Sequence, residues 1–221
     1  MSELKLGFTR PWSVRLPVVT RFLDERYVEE FFSSGRLRLS TFRTFRNHKD
    51  EERCDPDEGC VNAEINTPNA NHHVLAINGQ EAYVLCGGLV ENPNMEASFT
   101  TRHGIRILNP LAFSDAVSGR IPGFVGGYQG NCIYRSETFI RKQSSELFEP
   151  PANPEGMEKW ATDYDEFVAR QTSEAFFIKQ LRYAHQNEYR FIWFARGVEM
   201  SELYIDCPEA RQHCQRYEVT T

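Results

Sequence analysis

The chain has 221 residues, of which 40% are hydrophobic and 25% charged, and its net charge is −6. That length suits one domain with long insertions and can bury a substantial core, which 16 Phe make aromatic-rich. The composition excludes a fibrous chain, the acidic balance argues against broad electrostatic binding of duplex nucleic acid, and no apolar run nears the roughly 20 residues of a membrane-spanning helix.

Residues 14–23, VRLPVVTRFL, read as a first strand. Glu25 to Ser34 reads as a helix, with Asp24 as its N-cap, Gly35 as its C-cap and Tyr27, Val28, Phe31 and Phe32 as its apolar stripe. Residues 36–42, RLRLSTF, alternate as a half-buried strand, with Arg36, Arg38 and Ser40 on one face and Leu37 and Leu39 on the other. Residues 43–72 are dominated by Asn, Asp, Glu and Pro without long periodicity, and are expected to form a functional loop or insertion. Charge switches sharply here: Arg36, Arg38, Arg43, Arg46 and Lys49 are followed by Asp50, Glu51, Glu52, Asp55, Asp57 and Glu58. Such a switch fits a loop that holds an anion beside an acidic turn, or a solvated surface with internal ion pairs.

Tyr83 to Val90 and Gly104 to Leu108 are predicted strands. Asn109 caps a helix that begins at Pro110 and ends at Gly119. The four glycines of residues 120–130 suggest a turn or mobile loop able to close over a substrate, and Asn131 to Arg135 a short strand. Residues 149–156, EPPANPEG, form the linker or lid candidate before a helix over Met157 to Arg170. Phe176 to Tyr183 fits helix or strand. Glu188 to Ala195, EYRFIWFA, fits a central strand, Glu202 to Cys207 another, and Pro208 to Gln215 a short terminal helix. The sum is one α+β domain over residues 1–221. MSELKLGFTRPW lacks the basic and apolar regions of a signal peptide, so a cytoplasmic location with reduced cysteines is expected. The cysteines form no CxxC pair, Asp55–Gly59 lacks the ligand spacing of a calcium loop, and no metal is expected.

The sharpest local feature is Gln186-Asn187-Glu188 before the strand that follows. If extended backbone begins at Gln186, residues 186 and 188 project to one face, an amide beside a carboxylate. That pair suits cleavage of the nicotinamide–ribose bond of NAD: the carboxylate holds a ribose hydroxyl and stabilises the cation-like sugar, and the amide orients the acceptor. The competing role for Glu188 is an ion pair at a strand start, with Arg190 or Arg182.

Gln-x-Glu resembles the motif of ADP-ribosyltransferases that act on asparagine side chains or nucleobases. The wider layout, Arg21-Phe22, GRLRLSTFRTFRNHKDEERCDPDEG at 35–59 and QNEYRFIWF at 186–194, is similar to bacterial domains of that fold linked with toxins and phage defence. The resemblance implies an ADP-ribosyltransferase-like split sheet with inserted helices, NAD as substrate, and a macromolecular acceptor (RNA, DNA or protein), with an antitoxin as a possible partner and no membrane. It makes Glu188 the catalytic glutamate and Gln186 the acceptor-orienting residue. Arg21 then meets the NAD ribose or phosphates, and Ser40 supports the glutamate or the nicotinamide pocket. Apart from the resemblance, Arg43, Arg46 and Arg53 are candidates to bind the NAD pyrophosphate or a nucleic-acid acceptor, since arginine forks match phosphate oxygens. The Ser-Thr-Ser triplet of many relatives is absent; Ser40-Thr41 alone is similar to it. An NAD glycohydrolase, with water as acceptor, and a non-catalytic sensor of the same fold are the alternatives.

Overall fold

The computed structural model describes residues 16–47, 55–89 and 101–218. It is α+β. Among the described residues the main sheet contains β1 (Val19–Phe22), β2 (Arg36–Thr41), β5 (Ala82–Gly88), β6 (His103–Ile107), β7 (Phe124–Asn131), β11 (Glu188–Ala195), β12 (Leu203–Asp206) and β13 (Cys214–Glu218). A smaller sheet joins β3 (Cys60–Asn66), β4 (Asn71–Ile77) and β9 (Phe139–Gln143), and a parallel pair joins β8 (Ile133–Arg135) to β10 (Ile178–Gln180). Among the described residues the α-helices are α1 (Glu25–Ser34), α2 (Phe42–Arg46), α3 (Pro110–Ser118) and α4 (Met157–Gln171).

The main sheet forks at β5. One edge of β5 pairs antiparallel with β11 along its whole length, from Gly88↔Glu188 to Ala82↔Phe194. The opposite edge is shared: β2 takes one end, at Val84↔Ser40 and Tyr83↔Thr41, and β1 the other, at Gly88↔Thr20. From there β1 leads to β6 and β13, and β2 to β12. Gly87 permits the close crossing of β1, because a Cβ there would lie 2.6 Å from the Val19 side chain and 3.1 Å from the Thr20 carbonyl.

β5 and β11 are covered on both faces, which is why β11 reads as an apolar run rather than an alternation. Tyr189, Phe191, Trp193 and Ala195 enter the main core with Leu85, Val28, Phe31 and Phe113, beneath α1 and α3. Ile192 faces the other way, into a cluster with Phe42, Ala82, Val84 and Phe176. Glu188 and Arg190 share that second face by strand alternation, so two charges are carried into a buried layer. The smaller sheet packs its Val61, Ala63, Ile65 and Ile140 on Phe167 of α4.

Several elements differ from expectation. Residues 43–72 are not a structureless loop, since they contain most of α2, all of β3 and the start of β4. In β3, Val61, Ala63 and Ile65 point inward and alternate with Asn62, Glu64 and Asn66, a strand pattern lying inside a stretch whose overall composition is that of a loop. The glycine-rich stretch 120–130 is largely strand. β7 pairs with β11, and at Gly127 a Cβ would meet the Ile192 carbonyl at 2.4 Å, so that glycine permits the close approach of the two strands. The segment 208–215 is a 3-10 turn, Pro208–His213, that leads into β13. Asp24 stands at the start of α1 without a side-chain capping bond, whereas Asn109 does cap α3, its Oδ1 accepting from the Ala112 N–H at 3.1 Å. No described helix is long and apolar enough to cross a membrane.

Candidate functional site

A cavity of about 150 Å³ opens in the fork of the sheet. β1 supplies Arg21, β2 supplies Arg38 and Ser40, β5 supplies Cys86 and Gly87, and the turn before β3 supplies Glu58. Lys179, Gln186 and Glu188 complete the wall. Arg21, Ser40, Gln186 and Glu188, predicted from distant parts of the chain, thus line one cavity. A second cavity of about 210 Å³ shares Arg21 and Arg38 with the first and extends past Arg36, Tyr27 and Tyr204.

The route by which Gln186 and Glu188 meet differs from the expected one. Extended backbone does not begin at Gln186, which ends a 3-10 segment over Leu181–Gln186. Asn187 then adopts a left-handed conformation, φ 42°, and the strand starts at Glu188. Asn tolerates that region better than most residues. The reversal turns both side chains toward one cation: Lys179 Nζ donates to Gln186 Oε1 at 2.8 Å and to Glu188 Oε2 at 2.5 Å. The parallel pairing of β10 with β8 brings Lys179 there and also delivers Tyr134, whose hydroxyl accepts from the Glu188 N–H at 2.7 Å.

The other oxygen of Glu188 is engaged as well. Arg190 Nε donates to Oε1, and the Cys132 thiol lies 3.6 Å from the same atom. Arg190 Nη1 donates to the Phe176 carbonyl at 2.8 Å, and its Nη2 lies within ion-pairing reach of Glu58 without the alignment of a hydrogen bond. One guanidinium therefore bridges two carboxylates. All four charged groups are buried. The alternative of an ion pair between Glu188 and Arg190 is thus present in the structure, while Arg182 has no part in it. Arg46 Nη1 donates to the Glu58 carbonyl at 2.8 Å and fixes the turn that carries that residue.

The environments of the two carboxylates diverge. Burial alone would raise the Glu188 carboxyl, but Arg190 and Lys179 overcome it and hold the group well below the usual carboxylate range. Glu58 is raised to about 7, because burial outweighs the attraction of Arg190 and Lys179 and the charge of Glu188 adds to it. Asp55, in the same turn, is also raised by burial. Burial pushes the Tyr134 hydroxyl up to about 12 and the Cys132 thiol higher still, so neither is a ready nucleophile.

Of the remaining predicted residues, Arg43 is exposed, and neither it nor Arg46 is among those lining the cavity. Arg53 lies outside the described residues. Sequence reasoning missed Lys179 and Glu58. A signal for Lys179 existed, a lone cation directly after the apolar run Ala175–Ile178; Glu58 was hidden among the acidic residues of its turn. No family model, curated protein or solved structure matches the chain.

Proposed function

We propose that the cavity in the forked sheet binds NAD and that the protein is an ADP-ribosyltransferase acting on a macromolecular acceptor, a nucleobase or an amide side chain, in the manner of a bacterial toxin or anti-phage effector. One observation carries this reading: Arg21, Ser40 and the pair Gln186 and Glu188 converge on a single cavity from three places in the chain. The residues present fit such a substrate. Arg21, Arg38 and Lys179 offer cationic donors to a pyrophosphate, and Glu188 offers a buried carboxylate to a ribose hydroxyl. Lys179 and Arg190 hold that carboxylate in one fixed position in the wall of the cavity.

A second reading has its own support. Because Arg190 and Lys179 between them occupy both oxygens of Glu188, the cluster also suits a structural ion network in a non-catalytic binding module. Replacement of Glu188 by Gln separates the two. For the transferase, NAD turnover falls by about 10²–10³ in a folded variant whose NAD affinity changes little. The module has no turnover to lose, and its variant loses melting temperature alone. Wild-type turnover in folded Glu188→Gln overturns the transferase reading, and mass spectrometry of protein and RNA from expressing cells locates the added ADP-ribose.

A further inference from the structure

Gln186, the residue expected to orient the acceptor, is an amide and cannot take up a proton. Transfer to an O–H or N–H acceptor releases one proton, so the cavity needs a second group for that task. Glu58 and Glu188 both line the cavity, and Arg190 bridges them. Their partners are unequal. Glu188 is engaged by Arg190, Lys179 and Cys132, while among the described residues only Arg190 pairs with the Glu58 carboxylate.

We propose that Glu58 is the catalytic base of this cavity, the group that takes the proton from the acceptor, with Glu188 acting as the fixed negative charge; this rests on the transfer reaction proposed above. In the balanced step the ribose C1′–N bond breaks and its electron pair leaves with neutral nicotinamide. The acceptor's lone pair forms the new bond to C1′, and its proton passes to Glu58 and then to water.

The surroundings of Glu58 match that role. Arg190 and Glu188 face it from β11 and Lys179 from β10, Asp55 shares its turn, and Arg46 of α2 binds its backbone rather than its carboxylate. Burial raises this carboxyl to about 7 while Glu188 is held ionised. Two carboxylates whose environments drive them apart are the arrangement by which one site separates a proton-transfer group from an electrostatic one. A base poised near neutrality also exchanges its proton readily at physiological pH.

The test compares pH–rate profiles of ADP-ribose transfer in wild type, Glu58→Gln and Glu58→Asp, with NAD binding measured on the same preparations. Wild-type transfer is expected to rise about tenfold per pH unit below about 7 and then level, because the base must be unprotonated. Glu58→Gln is expected to lose about 10²–10⁴ in rate together with this limb, and NAD affinity to hold. Glu58→Asp, which keeps the ionic pair should the Gln variant fail to fold, is expected to retain a limb at a shifted pH. A Gln variant, or an Asp variant where Gln does not fold, that keeps the wild-type limb and rate overturns the assignment of Glu58 and leaves the transferase reading intact. Wild type with no NAD turnover overturns both. Carbon-13 NMR of labelled Glu gives a readout independent of activity: a carboxyl titrating near neutrality that disappears in Glu58→Gln supports the assignment, and Glu58 titrating among ordinary carboxylates contradicts it.

Discussion

Arg36 and Arg38, at the rims of the two cavities, and Arg190, enclosed beneath the floor residues Glu58 and Glu188, carry the same charge under different electrostatics. Arg36 and Arg38 project from β2 into solvent and pair loosely with Asp206 of β12 at 3.6 Å and with Glu202, just before β12, at 3.8 Å. Arg36 and Asp206 are 47% and 61% exposed, so water screens them and little energy depends on the pair. Arg190 is enclosed, with Glu58, Glu188 and the Phe176 carbonyl around it. There the desolvation cost is large and is met only because every charge has a partner. Charge on this protein is therefore cheap to alter at the rim and costly on the floor, which leaves the rim free to contact ligands and makes the floor a rigid base for them.

The largest expected effect tests the floor. Arg190→Ala leaves two buried carboxylates without their bridge and is expected to cost roughly 3–5 kcal/mol, a fall of about 6–20 °C in melting temperature for a chain of this size. Replacing Arg190 and Lys179 by Met together with Glu58→Gln and Glu188→Gln removes all four charges as a set, and is expected to be less damaging than the single change. If the single variant melts with wild type, the cluster is not the rigid base described here.

Acid–base linkage gives the second test, with opposite signs for the two carboxylates. Glu188 is lowered, so its contribution to stability is present above its unfolded value near 4.5 and is lost as pH falls toward its folded value. Glu58 is raised, so its contribution is present below about 4.5 and is lost as pH rises through about 7. Urea titrations at pH 5 and pH 8 should show wild type losing a component of stability over this window that Glu58→Gln does not lose. An identical pH dependence in the two proteins would place the neutral titration elsewhere.

Smaller effects belong between floor and rim. Arg46→Ala removes a donor to the Glu58 carbonyl and is expected to cost about 1–2 kcal/mol, and Arg43→Ala about 0.5 kcal/mol or less. Measured singly by chemical denaturation, they resolve which of the two matters; equal costs would argue against Arg46 as the fastener of the turn. At the rim, Arg36→Ala is expected to change stability by about 0–1 kcal/mol, in the same small range as Arg43→Ala. A rim variant as damaging as Arg190→Ala would erase the distinction drawn above.

Local physics was legible in the sequence. The stripe of Val28 and Phe31 specifies α1, Asn109-Pro110 specifies the start of α3, and the two-sided apolar run after Glu188 specifies a central strand. Gln186 and Glu188 could be singled out because the chemistry of the pair is local, although a left-handed turn at Asn187, and not the extended backbone expected from their spacing, brings them together. What tertiary structure decided is non-local. The small sheet was hidden because β3 pairs in parallel with β9, 77 residues on (Asn62↔Phe139), a contact that no local pattern announces. Lys179 and Glu58 join the site only through the pairing of β8 with β10 and the turn before β3, and no spacing rule connects positions 58, 179 and 188. The sequence determined which charges exist and which strands form; only the fold, by removing water from around some of those charges and not others, decided that Arg190 belongs to the interior and Arg36 to the solvent.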